Sequence, residues 1–294
     1  MKCRHGVDRD HPVRRQPEHR GHVLPLGVDA VPSPSQIAVS QLSRLIGLPD
    51  APAIVDVRAE EDFRADPRLI PTARRHDFRA AESWAIYYAG RSVIVVCQRG
   101  LKLSQGAAAW LRHAGVSAQT LEGGHEAWCK AGQPLVRTDR LLPFDEAGRT
   151  LWVTRARPKV IRIACPWLIR RFVDSHAVFL YVAPSEVLAV AERFNAIPFD
   201  VDGAFWTDRG EKCTFDVMIE ELGLDTDVLS RLARIIRGAD TGQLELSPQS
   251  AGLLAASLGY SRMHRDDLAQ LDAAMPLYDA LSRWCRDATD ETHT

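Results

Sequence analysis

Short apolar segments alternate with helical patterns along the first half of the chain. Residues 53–58 have the pattern of a short apolar strand that runs into polar residues, and residues 92–96 are rich in β-branched side chains and apolar on both faces. A strand with two apolar faces is typical of the centre of a parallel sheet. Apolar positions then recur at helical spacing from Ala107 to Ala114, before Gly115. The pattern predicts an α/β unit with a central parallel sheet.

Helical patterns dominate from residue 151 onward. Pro166 is placed in the first turn of a helix, because proline is favoured there, Asp240 is placed at a helix C-cap and Asp266 at an N-cap. Strand patterns occur at residues 152–154 and 178–182, with a weaker one near 199. The second half is therefore predicted to be a mainly helical α+β domain. The predicted helices cover residues 166–173, 185–194, 215–222, 228–237, 247–258 and 266–286.

Length and breaker residues divide the chain of 294 residues into two domains. We expect the first domain at residues 35–136, a charged connector with the breakers Pro143 and Gly148 at 137–150, and the second domain at 151–287. Residues 1–34 hold four histidines and several prolines without an apolar core, so we expect a tail rather than a signal peptide. Residues 288–294 are expected to form a second tail.

Composition excludes several classes of protein. The chain is 46% hydrophobic and 26% charged with a net charge of -1, which disfavours a globally basic nucleic-acid binder. No apolar run has the length of a membrane span. Six cysteines are spread without a CxxC pair, which favours reduced thiols in the cytoplasm. We expect no cofactor and no resident metal.

The strongest candidate chemistry follows the central strand. Cys97 ends that strand and precedes a helix, where backbone N–H groups and the helix dipole stabilise a thiolate, the nucleophilic form of cysteine. Arg99 and Lys102 add positive charge, and Gly100 allows the loop to curl. A catalytic cysteine and a buried structural cysteine at a strand end are equally compatible with these residues alone.

Four ordered motifs in residues 34–136 resemble the rhodanese (sulfurtransferase) family: IVDVR at 54–58, LIPTA at 69–73, CQRGLK at 97–102 and LEGGHEAW at 121–128. The resemblance implies that Cys97 carries sulfur as a persulfide. It also implies that the backbone of Gln98, Arg99, Gly100, Leu101 and Lys102 binds that persulfide.

The expected substrates are an anionic sulfur donor, such as thiosulfate or a persulfide, and a thiol acceptor. Asp56 and Arg58 are expected to be structural residues near the site. Lys102 stands where the family usually has arginine, which keeps the charge and loses a bidentate donor.

A basic segment without acidic residues spans positions 154–171 in the second half. Cys165 lies in it at the predicted helix start, next to Arg170 and Arg171, and a helix N-terminus flanked by guanidinium groups can bind anions. These three residues form a candidate oxyanion site for chromate or sulfate. The alternative is a solvated charged face whose arginine stems pack on the core.

Five motifs in residues 150–287 resemble the chromate-resistance family, the domain that forms the C-terminal part of ChrB-type proteins. They are WVTR at 152–155, CPWLIRRF at 165–172, CTF at 213–215, RGADT at 237–241 and YDALSRWC at 278–285. The resemblance implies a role in chromate tolerance or sensing and supplies no catalytic residues.

The leading hypothesis is a cytoplasmic sulfurtransferase fused to a domain that binds or responds to an oxyanion. One alternative is a non-catalytic sensor or regulator. Another is a metal-dependent second domain that uses some of Cys213, Asp240 and His264.

Overall fold

The structure, a computed structural model, describes residues 35–141, 144–146 and 148–291. Its first half contains a parallel sheet of five strands in the order β1-β5-β4-β2-β3. The strands are β1 (Gln36–Ile37), β2 (Ala53–Asp56), β3 (Arg74–Arg75), β4 (Ser92–Val96) and β5 (Ser117–Leu121). The helices are α1 (Val39–Leu45), α2 (Glu60–Ala65), α3 (Ala81–Trp84), α4 (Lys102–His113) and α5 (Gly124–Lys130), with 3-10 turns at Phe78–Ala80 and Ala85–Tyr88.

The central position of β4 follows from its side chains. Val93 and Val95 pack on one face of the sheet with Leu111 of α4, and Ile94 and Val96 pack on the other face. All four strand residues are buried. The predicted α/β unit with a central parallel sheet is confirmed.

The second half combines a small parallel sheet with long helices. The strand order is β7-β6-β8. The strands are β6 (Leu151–Arg155), β7 (Val178–Val182) and β8 (Ile197–Pro198). The helices are α6 (Val160–Leu168), α7 (Val187–Phe194), α8 (Thr214–Glu221), α9 (Asp227–Thr241), α10 (Gln249–Met263) and α11 (Asp267–Asp287), with a π-helix at Ile169–Val173 and 3-10 turns at Thr138–Arg140, Pro184–Glu186 and Leu244–Leu246. The predicted mainly helical α+β character is confirmed.

Helix α6 begins six residues before Pro166, so the prediction of a helix start at that proline is wrong. Proline inside a helix lacks the N–H that would reach the carbonyl four residues earlier. That carbonyl belongs to Arg162, and the Tyr181 hydroxyl donates to it at 2.9 Å. The missing backbone hydrogen bond is thereby replaced, which allows Pro166 to lie in the helix interior.

The two predicted helix caps have different outcomes. Asp266 is the N-cap of α11, and its Oδ1 accepts the N–H of Ala269 at 2.7 Å, as predicted. Asp240 is not a C-cap, because α9 continues through Thr241 and ends at Gly242 with a φ of 74°. Glycine adopts this left-handed conformation without steric cost.

The two halves share backbone and side-chain contacts. The N–H of Thr72 donates to the carbonyl of Phe172 at 2.9 Å, and the N–H of Arg137 donates to the carbonyl of Leu222 at 3.0 Å. Arg74 at the sheet edge pairs with Asp174 at 2.8 Å. The other carboxylate oxygen of Asp174 accepts both the N–H and the hydroxyl of Thr150. A single hydrophobic cluster also includes residues of both halves.

The predicted tail at residues 1–34 lies outside the described residues, as do the last three residues of the predicted tail at 288–294. The boundaries at 136 and 151 stay predictions. Among the described helices, none combines the length and apolar character that crossing a bilayer requires.

Candidate functional site

Cys97 lies between the end of β4 and the start of α4. Its side chain is 4% exposed. Helix α4 has twelve residues and begins at Lys102, so its N-terminal N–H groups face the loop that Cys97 opens. The site therefore occupies the carboxyl edge of a parallel sheet, where α/β proteins bind their ligands.

Two glycines hold the Cys97 loop against the turn before α5. Gly100 has a φ of 69°, and a Cβ atom there would lie 2.5 Å from the carbonyl oxygen of Leu121. Gly124 has a φ of 61°, and a Cβ atom there would overlap the Cys97 carbonyl oxygen and the Gly100 nitrogen. Neither position can accept a side chain without moving backbone.

Hydrogen bonds from α5 orient the peptide groups of the loop. The N–H of His125 donates to the Cys97 carbonyl at 3.0 Å, and that of Glu126 donates to the Gln98 carbonyl at 3.0 Å. In a trans peptide group the N–H of the next residue points away from the carbonyl oxygen, so the N–H groups after these two carbonyls point away from α5. Within residues 35–141, 144–146 and 148–291, the N–H groups of 98–101 donate to no backbone acceptor. The loop therefore offers free donors to an anion.

Ser104 is the polar side chain in contact with the thiol. Its Oγ lies 3.2 Å from Cys97 Sγ and 3.1 Å from the carbonyl oxygen of Leu101, and the residue is fully buried. The hydroxyl has one proton, so it can accept from the thiol while donating to Leu101, or turn and donate to a thiolate. Ser104 was not among the residues expected at the site.

Charges at the mouth of the loop are mostly exposed. Arg99 Nε pairs with Glu126 Oε1 at 3.2 Å, and the Gln98 side chain donates to the same oxygen at 3.3 Å. Lys102 is exposed and has no ion pair among the described residues. Leu101 is 57% exposed at the rim.

Asp56 and Arg58 form a buried pair beside the sheet edge. Arg58 Nε donates to Asp56 Oδ2 at 2.8 Å, and both residues are 2% exposed. The remaining Arg58 nitrogens donate to the carbonyls of Asp66 and Arg68 at 2.9 and 2.7 Å. This network fixes the segment after α2 and leaves no free group for catalysis.

The predicted oxyanion residues of the second half are not arranged around a helix start. Cys165 is fully buried in the interior of α6, and burial raises the pKa of its thiol. Arg171 makes a bidentate pair with Asp279 at 2.8 and 2.9 Å, and Arg170 pairs with Asp272 at 2.9 Å. The two arginines line a groove of about 650 Å³, but the same groove contains both of their carboxylate partners.

A charged cluster that the sequence did not reveal lies at the carboxyl edge of the second sheet. Arg155 ends β6, and its Nη2 donates to Asp200 Oδ2 at 2.8 Å. Arg162 lies in the first turn of α6. Its Nε is 3.4 Å from the same oxygen, and its Nη1 donates to the carbonyls of Arg155 and Ala156. The Nε atoms of both arginines are buried without a hydrogen-bond partner in the described part of the chain.

The charged cluster at Arg155, Arg162 and Asp200 has shifted pKa values and residues with positive φ in or next to it. Burial raises the pKa of Asp200 and lowers that of Arg162. Burial and the neighbouring Asp200 charge raise the pKa of Asp240 to about 6, although the side chain of Asp240 reaches solvent. Asp200 and Arg157 both have positive φ, 52° and 59°. Such conformations cost free energy and are concentrated at functional sites.

Two family models match the chain. Residues 38–131 match the model of the rhodanese-like domain, and residues 152–285 match the model of the ChrB C-terminal domain. Each model matches a separate part of the chain and less than half of its length. Both resemblances identified from the sequence are confirmed.

The ChrB-type region also matches a curated relative. Protein ChrB of Cupriavidus metallidurans is 37% identical over 140 residues, which is 47% of this chain and 41% of that protein. The match therefore spans less than half of the relative's length.

Solved structures match the rhodanese-like region. A rhodanese-related protein of Thermoplasma volcanium is 24% identical with a TM-score of 0.30, over 34% of this chain and 96% of that one. A rhodanese-like domain protein of Staphylococcus aureus is 26% identical with a TM-score of 0.29, over 32% of this chain and 90% of that one. A thiosulfate sulfurtransferase of Pseudomonas aeruginosa is 23% identical with a TM-score of 0.32, over 38% of this chain and 21% of that one.

The alternative metal ligands of the ChrB-type region do not form a group. Cys213 caps α8 and its thiol contacts Asp216 Oδ2 at 3.1 Å, while His264 is the C-cap of α10 and stacks on Tyr260. In the part of the chain that the structure describes, the group able to hold a metal ion lies instead in the rhodanese-like region.

Proposed function

We propose that the rhodanese-like region is a sulfurtransferase that carries sulfur as a persulfide on Cys97. The observation that carries this proposal is the set of N–H groups at 98–101 without a backbone acceptor, in the loop between Cys97 and the start of α4. A persulfide adds a second sulfur about 2 Å beyond Sγ, which extends the reactive atom from a buried thiol toward these donors. Backbone donors are well suited to an anionic persulfide.

The proposed reaction has two sulfur transfers. The Cys97 thiolate attacks the sulfane sulfur of thiosulfate, a bond forms between the two sulfurs, and the sulfur–sulfur bond of thiosulfate breaks. Sulfite leaves with the electron pair of that bond. A thiolate acceptor then attacks the outer sulfur of the persulfide, and the Cys97 thiolate leaves. No net oxidant or reductant is needed.

The exposed charges support an anionic donor. Lys102 has no ion pair among the described residues, and Arg99 is held only by an exposed pair with Glu126. Exposed pairs of this kind contribute little and are easily exchanged. We place the reaction in the cytoplasm, with a small thiosulfate or persulfide donor and a thiol acceptor.

Mass spectrometry of the intact protein after incubation with thiosulfate tests the proposal. Wild type should gain one sulfur atom, and Cys97→Ser should gain none. Cys285→Ser is the control, because Cys285 is a buried free cysteine like Cys97 but lies on α11 in the second half, and it should gain sulfur as wild type does. A wild-type protein that gains no sulfur would favour the non-catalytic sensor instead.

We further propose that the ChrB-type region binds a tetrahedral oxyanion such as chromate or sulfate at Arg155 and Arg162. The Nε atoms of both arginines are buried without a hydrogen bond in the described part of the chain, although Arg162 Nε lies 3.4 Å from Asp200 Oδ2. An oxyanion that accepts from both guanidinium groups would compete with the Asp200 carboxylate. Burial raises the pKa of Asp200, which disfavours the charged form of that competitor.

Titration calorimetry with sulfate and with chromate at constant ionic strength tests this site. Arg155→Gln should weaken binding about ten- to a hundredfold, the range expected for one hydrogen bond to a charged group. The double variant Arg170→Ala, Arg171→Ala is the comparison, and it should bind as wild type does. The reverse pattern would assign the oxyanion to the groove at Arg170 and Arg171.

A further inference from the structure

Three side chains with metal-ligating atoms converge beneath the Cys97 loop. His125 and Cys129 are four residues apart on α5, so they lie on one face of that helix. Asp66, at the end of α2, lies opposite them. Its Oδ2 is 3.1 Å from His125 Nε2 and 3.9 Å from Cys129 Sγ. The ligand atoms of all three residues lie within 4.8 Å of one another.

The nitrogen of His125 that faces the other two ligand atoms is Nε2. His125 is 1% exposed, so its ring is fixed in the protein interior. An ion at this point takes the lone pair of Nε2, and the proton of the neutral ring is then on Nδ1. That Nδ1 has no hydrogen-bond partner in the described part of the chain, so no acceptor has to be given up for this tautomer.

The two separations that involve Asp66 are close to those of a tetrahedral zinc site, and the third, between His125 and Cys129, is at most 4.8 Å. Bonds of about 2.0 Å to oxygen and nitrogen and about 2.3 Å to sulfur place neighbouring tetrahedral ligands about 3.3–3.5 Å apart. The observed 3.1 and 3.9 Å differ from these values by a few tenths of an ångström. Rotation of the Cys129 side chain, which is partly exposed, can close such a difference.

A competing cation is present and can leave. Arg68 makes a bidentate pair with Asp66 at 2.7 and 2.9 Å, and its side chain is 50% exposed. An exposed arginine can turn into solvent at little cost when its carboxylate binds a metal ion. Arg58 stays in place, because its contact at this point is with the Asp66 carbonyl and not with the carboxylate.

We propose that Asp66, His125 and Cys129 form a binding site for a divalent transition ion of the zinc type, with the cysteine bound as thiolate. The backbone N–H groups of His125 and Glu126 hold the Cys97 loop, so an ion at this site braces the helix that shapes the sulfur-binding loop. The proposal does not depend on sulfur transfer at Cys97.

Cobalt(II) titration followed by absorption spectroscopy tests the site, because thiolate ligation to Co²⁺ gives a sulfur-to-metal charge-transfer band. The full chain is used in a Cys3→Ser background, since Cys3 lies close to His5 in the sequence and could bind the ion itself. The charge-transfer band should saturate at one equivalent. It should disappear in Cys129→Ser and persist in Cys97→Ser.

A second readout is zinc competition against bound cobalt. Asp66→Asn should weaken zinc binding at least tenfold, since loss of even an outer-shell partner costs about 10–100-fold. Circular dichroism of each variant shows whether it is folded, and Cys129→Ser changes only a partly exposed thiol. A band that survives in Cys129→Ser, or a folded parent that gives no thiolate band, would overturn the proposal.

Discussion

Replacing Ser104 by alanine tests how the Cys97 thiolate is stabilised. The serine hydroxyl lies 3.2 Å from Sγ and is fully buried, so water cannot replace it without entering the core. A hydrogen bond to a charged group contributes about 1.5–3 kcal/mol. At about 1.4 kcal/mol for each factor of ten, Ser104→Ala should slow persulfide formation about ten- to a hundredfold near neutral pH.

The assay is rapid-quench mass spectrometry of the protein with thiosulfate near neutral pH. Ser250→Ala is the matched control. Ser250 is also fully buried and donates to the Ile235 carbonyl at 3.0 Å, so it loses an equivalent hydrogen bond in the second half.

Two results would refute this reasoning. A folded Ser104→Ala variant that reacts as fast as wild type at neutral pH would show that the hydroxyl does not stabilise the thiolate. A deficit of the same size in Ser250→Ala would assign the loss to a general loosening of the core and not to the contact with Cys97.

Three further predictions concern the loop, the buried pair and the second site. Gly124→Ala should abolish persulfide formation, whereas Gly132→Ala, which has a similar φ and open space around it, should only lower stability by about 1–2 kcal/mol in urea unfolding. Arg58→Met should lower the free energy of unfolding by about 3–5 kcal/mol because it leaves a buried carboxylate unpaired, and the exposed Arg64→Ala should cost less than about 1 kcal/mol. The raised pKa of Asp240 means that the folded protein holds a proton more tightly than the unfolded chain, so stability falls as pH rises from about 4 to about 6. Asp240→Asn should therefore raise the melting temperature near neutral pH and change it little near pH 4, and an equal change at both pH values would contradict the assignment.

The sheet of the first half could be predicted because its signals are local. Residues 92–96 are apolar on both faces, and the strand found there has the predicted bounds. The start of α6 could not be predicted, because proline ordinarily marks a first turn. What permits Pro166 in the helix interior is the Tyr181 hydroxyl, a tertiary contact nineteen residues away.

The candidate sites show the same difference between local and distant signals. Cys97 and its loop are contiguous in the sequence, so a motif could indicate them. The basic segment at 154–171 looked unpaired because its carboxylate partners come from other elements, such as Asp279 on α11. The group of Asp66, His125 and Cys129 had one local signal, the spacing of four on α5, but Asp66 lies 59 residues before His125.

Asp174 has a consequence for how the chain tolerates mutation. It is 1% exposed in its side chain and holds Arg74 of the first sheet and Thr150 at the entry to the second. A chain cut between residues 137 and 150 would leave this carboxylate buried without its cation. Damage to one half is therefore expected to reduce the cellular amount of the other half as well. Selection that maintains one half would then also preserve the other, and the two halves would be inherited as one trait.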